Sequence, residues 1–337
     1  LTTLPVVDPG APEVAPRRIS RRATGADAVF VHVSRAIGAS VLVITGGVGI
    51  FLAWQAVPTL KNYGLGFLYR AEWKPEENLL GIGGVLVGTV SIALVAMSIA
   101  FPLAVLTALY ISEYAPAKIK AALVSLVDLM AAIPSIVYGL WGFFLIMPHA
   151  GEFAFWLQGT FEWVPFFEVR GTDPDAAVPD AGRYVASAFC AGIAVAMMVM
   201  PMACAVMRQV FSQTPPGERE AALALGATKW GVIRSVVLPF GRGGIIGGTM
   251  LGLGRALGET IAVVLIIAPV FEIKWNVLET GTNSVSSLIA VRFGDASPSQ
   301  LSALLAAGFV LFLLTLAVNT AAAVVVNRSR SGADADA

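Results

Sequence analysis

Six long apolar runs punctuate this chain, with the polar positions gathered between them. A membrane-crossing helix needs about 20 mostly apolar residues. Stretches of that kind lie at about 36–57, 82–111, 121–147, 184–207, 244–269 and 301–326. They predict an all-α integral membrane protein with six transmembrane helices. The second run is longer than a straight crossing requires, so it is predicted to tilt or to project past the bilayer. The third holds Asp128 near its start and Pro134 near its middle, which predicts a kink. Asp128 is read as an interfacial residue that pairs with a basic loop residue or faces a cavity.

Composition then narrows the field. Hydrophobic residues make up 57% of the 337 positions, charged residues only 13%, and the mean hydropathy is +0.78. A water-facing domain carries about 25% charged residues, so a soluble enzyme, a nucleic-acid-binding protein and a disordered scaffold are all excluded. Two cysteines and two histidines leave little for a metal site or a disulfide framework. Cys190 and Cys204 share one predicted helix and are too far apart along it to bridge.

The formal net charge of zero conceals an asymmetry. Arg17, Arg18, Arg21, Arg22 and Arg35 precede the first run, which places the N-terminus in the cytoplasm, and six crossings return the C-terminus there. In that orientation 14 of the 22 basic side chains lie in cytoplasmic segments, seven outside, and one, Arg255, within a span. Residues 1–30 read as a disordered cytoplasmic tail rather than a cleaved signal peptide; with Leu at position 1, the true start is expected elsewhere. Residues 31–83 read as the first span with an external loop. Residues 84–326 read as the membrane core, with a cytoplasmic loop at 208–243, and 327–337 as a second tail. The external loop at 148–183 combines Trp156, Trp163, Phe166 and Phe167 with acidic residues, and its aromatic half is predicted to lie at the outer interface.

The cytoplasmic loop has its own pattern. Pro215-Pro216-Gly217 breaks the chain, and a short helix is predicted from about Glu218, with acidic residues in its first turn where the helix dipole favours them. Gly226 is predicted to end that helix, and a second amphipathic helix to run to about Pro239. A helix–glycine–helix unit with small alanines outward suits insertion into a groove of another protein.

Within the fifth run, Arg255 and Glu259 are four residues apart, so on a continuous helix they share a face and can pair. Gly244, Gly248 and Gly252 fall on that same face, where small residues let another helix approach closely. Charges inside a span are costly and commonly functional. One reading is that Arg255 lines a translocation path for an anion and Glu259 neutralises it when the path is empty. The other is a structural ion pair between helices.

These residues carry a family resemblance. Glu220-Ala221-Ala222, then Gly226, then Leu238-Pro239, at this spacing and in this loop, resembles the EAA loop of bacterial ABC importer permeases; Val236 stands where that family usually has Ile. The segment Leu251-Gly252-Leu253-Gly254-Arg255-Ala256-Leu257-Gly258-Glu259-Thr260 is similar to the permeases of phosphate importers, the PstC/PstA pair. So are Ile111-Ser112-Glu113-Tyr114-Ala115-Pro116, the run Leu129 to Gly142, and Ser284 to Ala290. The Tyr138-Gly139-Leu140-Trp141-Gly142 run and the external loop are nearer to the PstC type. The resemblance covers about residues 35–325.

It implies a MetI-like, type I ABC importer permease fold. It implies a role in ATP-driven phosphate import in the bacterial inner membrane, with no cofactor on this chain. The implied partners are a second, PstA-like permease, a cytoplasmic PstB-like ATPase dimer and an external PstS-like phosphate-binding protein. Glu220, Ala221, Ala222, Gly226, Leu238 and Pro239 would couple to the ATPase, and Arg255 and Glu259 would lie on the path. No Gly-x4-Gly-Lys-Ser/Thr loop is present, so ATP is expected on another subunit. Two alternatives stay open: a permease for sulfate or molybdate, since one arginine in a membrane serves any of these oxyanions, and an ion-coupled secondary transporter using Arg255 and Glu259 as a proton relay. The latter class usually shows internal repeats, and none is evident here.

Overall fold

A computed structural model describes residues 25–172 and 180–330. Six helices are long and apolar enough to cross a membrane. They are α1 (Ala26–Tyr63), α2 (Gly83–Tyr114), α4 (Ser135–Thr160), α5 (Ala188–Ser212), α7 (Lys229–Gly258) and α10 (Pro298–Arg330). Between them lie α3 (Ala117–Ala132), α6 (Pro216–Ala224), α8 (Ile261–Ile266) and α9 (Val285–Arg292). Residues 1–50 and 51–337 form separate units, and of the first the described part is the leading stretch of α1. The tail expected at 1–30 lies mostly outside the described residues, and its last residues, 26–30, are helical. Of the C-terminal tail, 331–337 lie outside them.

The number of spans agrees with the apolar pattern, but boundaries move, and at two places a proline shows how. The helix expected at 121–147 is broken rather than kinked. Ile133 and Pro134 are both extended, with ψ of 130° and 143°, so α3 stops and α4 starts afresh at Ser135. Proline removes an N–H and pushes the residue before it out of the helical region. One freed carbonyl is recovered by a side chain, since the Tyr138 hydroxyl donates to Met130 O at 2.7 Å. Asp128 on α3 meets Arg208 near the end of α5 at 3.2 Å. The third membrane-length helix is therefore α4, which runs on to Thr160 through residues expected in the external loop.

The opposite happens at Pro239. The second loop helix was expected to end there, yet α7 runs unbroken from Lys229 to Gly258. A proline ring inside a helix crowds the carbonyl four residues back, here Ser235. The preceding turn, Ile233–Val237, is widened into a π turn in which Leu238 N donates to Ile233 O, and the helix passes through the proline.

Packing at the centre depends on small side chains. On α2, Gly84, Gly88, Ile92, Ala96, Ala100, Ala104 and Ala108 recur every four residues and are all buried. A methyl group at Gly192 of α5 would collide with Val95 of α2. Further along α5, a methyl at Gly244 would lie 2.5 Å from Val210 Cβ, one at Gly248 3.0 Å from the Ala203 carbonyl, and one at Gly252 2.7 Å from Val199 Cγ1. Helix α5 thus packs closely against both α2 and α7, and its Cys190 and Cys204 are buried as free thiols.

Gly252→Leu should force α5 and α7 apart at a cost of about 1–3 kcal/mol. At about 2–4 °C per kcal/mol, a thermal-unfolding scan in detergent should show a clear drop in Tm. Gly247→Ala, where a methyl group meets nothing within 4 Å, should leave Tm unchanged or raise it. Equal losses in both would contradict this packing.

Candidate functional site

The loop between α5 and α7 forms a compact helical hairpin. Helix α6 starts on Pro216, with Glu218 in its first turn, and has no fully buried residue. It ends in a Schellman turn: Gly226 N donates to Leu223 O at 2.9 Å and Ala227 N to Ala222 O at 3.1 Å. Gly226 takes φ of +85°, which any side chain would strain, although the space around it is open. Thr228 then caps the next helix, its hydroxyl accepting from Gly231 N at 3.1 Å.

This places the motif residues on an exposed knuckle. Glu220, Ala221 and Gly226 are exposed, Ala222 and Leu238 half-buried, and Pro239 exposed on the α7 surface. Leu223, Leu225 and Trp230 add apolar surface, with Leu225 89% exposed. Large apolar side chains held outward beside exposed charge make a surface suited to a protein groove.

The hairpin is moored from a direction that loop reading alone does not show. Arg219 Nη2 donates to Phe211 O at 2.7 Å and lies 3.0 Å from Glu113 Oε1, at the end of α2. Lys229 Nζ stands over the Tyr114 ring, 5.7 Å from its centre. Glu113 and Tyr114 were visible in sequence only as part of a local string. The signal for their role was the opposite charges of Glu113 and Arg219 on segments predicted to share the cytoplasmic side.

The second candidate region is the end of α7. Helix α7 stops at Gly258, and Glu259 is extended, with φ −67° and ψ 130°. The expected pairing of Arg255 with Glu259 on one continuous helical face therefore does not form. Glu259 turns inward instead: it is 8% exposed, and its Oε1 accepts from Ala262 N at 3.3 Å, in the first turn of α8. Arg255 remains exposed on this chain, its Nη2 directed at Met198 Sδ at 3.4 Å. A thioether is a weak acceptor, and among the described residues no carboxylate forms an ion pair with Arg255. The break places the two charges in different roles, a buried carboxylate capping a helix and an open guanidinium.

On the opposite end, the loops expected on the external side close over one another. Val277 N donates to Phe166 O at 2.9 Å, Thr280 N to Arg183 O at 2.8 Å, and Asn276 Nδ2 to Glu168 O at 2.8 Å. Trp156, Trp163 and Phe166 stay exposed, while Phe167 packs against the main core. Asp173 and Asp175 lie outside the described residues.

Known proteins match this chain in sequence and in fold. The family model described as "binding-protein-dependent transport system inner membrane component" matches residues 100–331. The chain is 34% identical over 316 residues to the phosphate transport system permease protein PstC 2 of Mycobacterium tuberculosis, covering 93% of this chain and 95% of that protein. It is 36% identical over 294 residues to the phosphate transport system permease protein PstC of Xylella fastidiosa, covering 87% and 88%. A crystal structure of a bacterial ABC transporter involved in the import of alginate shares the fold, with a TM-score of 0.51 and 16% identity over 89% of this chain and 98% of that one. The matches embrace both the exposed knuckle and the helix that carries Arg255, and the chain belongs to the binding-protein-dependent transport inner membrane components, among the PstC-type phosphate permeases.

Proposed function

We propose that this chain is one permease subunit of an ATP-driven inorganic phosphate importer in the bacterial inner membrane, with both termini cytoplasmic. It encloses the translocation path with a second, PstA-like permease and receives phosphate from an external PstS-like binding protein. The α6 knuckle seats in a PstB-like ATPase dimer, which carries all the ATP chemistry. Residues 84–326 are the permease core. The observation that carries this reading is the α6–Gly226–α7 hairpin, a capped helix with no fully buried residue. Near full-length similarity to phosphate transport system permeases supports phosphate over sulfate or molybdate.

Arg255 is the group we assign to the anion. It is the one basic side chain at mid-span in the sequence, and no carboxylate competes for it among the described residues. The Gly244, Gly248 and Gly252 row sets its height by seating α7 against α5. Glu259 shapes the path indirectly, by holding the start of α8. A proton relay between Arg255 and Glu259 would require the two in contact, and the helix ends between them with no ion pair joining them among the described residues.

Reconstitution of the four components in vesicles should give ATP-dependent phosphate uptake. Uptake by this chain alone, driven by a pH gradient, would overturn the importer reading. Arg255→Ala should lower uptake by about tenfold or more while assembly persists, the expected loss of a charge-assisted contact of ~1.5–3 kcal/mol. Wild-type uptake in that variant would remove Arg255 from the path. Gly226→Val strains the left-handed turn by about 1–2 kcal/mol, and co-purification should show ATPase binding weakened by roughly 5–30-fold. Gly226→Asn should be milder, because Asn tolerates that conformation.

A further inference from the structure

The knuckle is covalently part of the α5–α7 connection, yet its polar grip is on α2. Arg219 is the side chain that ties α6 down. Its guanidinium joins the last turn of α5, through Phe211 O at 2.7 Å, to Glu113 on α2, at 3.0 Å. The pair is largely withdrawn from water, with Arg219 26% and Glu113 12% exposed. Glu113 Oε1 also accepts from the Ser112 hydroxyl at 2.7 Å, which fixes the carboxylate. Lys229, beyond the Gly226 turn, rests on the Tyr114 ring. Adjacent residues of α2 therefore hold both arms of the hairpin.

Helix α2 extends this grip across the molecule. Its row of small residues runs from Ala108 back to Gly88 and Gly84. At that far end a methyl group on Gly88 would collide with the Asn283 carbonyl, and one on Gly84 with the Phe271 carbonyl. Backbone meets backbone there, so little side-chain give separates α2 from the outer loop between α8 and α9.

The grip is also incompletely bonded. Arg219 Nε is buried without a partner among the described residues. A cavity of about 130 Å³ adjoins the pair, lined by Glu113, Arg219, Leu223, Lys229 and Val232. Buried polar atoms left unpaired raise the energy of an arrangement, and the cavity gives the side chains room to find another.

From this we infer that the Arg219–Glu113 pair is the link through which displacement of the ATPase-facing hairpin moves α2 and, with it, the outer loop. This rests on the permease reading above. Both are positioning residues and touch no substrate. Coupling between distant sites needs a physical element with two arrangements that both sites bias, and the half-bonded pair with its adjoining cavity is that element.

The test is the number of phosphates imported per ATP hydrolysed by the reconstituted complex. Glu113→Gln should retain assembly and ATP hydrolysis but lower that ratio by about fivefold or more, the lower range for coupling between sites. Asp128→Asn breaks the other ion pair at this end, Asp128–Arg208, without touching the hairpin, and should leave the ratio unchanged. Should Glu113→Gln fail to assemble, Arg219→Lys decides the question by the same ratio, because Lys keeps the charge but cannot hold Glu113 and Phe211 O together. A wild-type ratio in the variant that assembles, or an equal fall in Asp128→Asn, would overturn the link. A wild-type complex that imports no phosphate would instead sink the permease reading itself.

Discussion

Close approach of helix backbones is the constraint on which the rest of this structure depends. Lipid is as apolar as a leucine side chain, so burial from water does not drive one membrane helix onto another. Attraction must come from van der Waals contact, which decays within a fraction of an ångström of extra separation. The glycine and alanine row of α2, Gly192 on α5, and the glycines of α7 meet this requirement by removing side-chain bulk where the axes pass. Three helices packed this tightly form a frame, and the charged groups at either end take their positions from it.

Apolar run length predicted the number of spans and their membrane character, because both follow from composition averaged over about 20 residues. It did not predict where helices stop, because proline acts through its neighbours. Pro134 and Pro239 are equally apolar residues in equally helical surroundings. At Pro134 the preceding Ile133 turns extended and the helix breaks. At Pro239 a widened turn absorbs the ring and the helix continues. The sequence shows the proline, and only the packing around it shows which outcome holds. Gly226 was legible for the opposite reason, since a left-handed residue at a helix end is a local requirement that glycine meets by itself.

The charges follow the same division. Arg255 and Glu259 are the expected spacing for a pair, but that inference assumes a continuous helix, and α7 ends one residue before Glu259. Pairing with a basic residue, one of the options read for Asp128, is realised through Arg208. The Glu113–Arg219 pair joins residues more than a hundred positions apart, and no local pattern announces it. Spacing rules read one helix at a time, whereas ion pairs between helices depend on which ends meet.

The passage of α7 through Pro239 has a mechanical meaning. Arg255 and Lys229 lie on one uninterrupted rod, about 39 Å apart at 1.5 Å per residue. A hinge at the proline would have absorbed a push at Lys229 as local bending. A helix that continues instead ties the orientation of one charge to that of the other through a single run of backbone hydrogen bonds. The π turn thus keeps in one helix what the proline would otherwise have divided, so the knuckle and the anion-facing end of the chain share a single element.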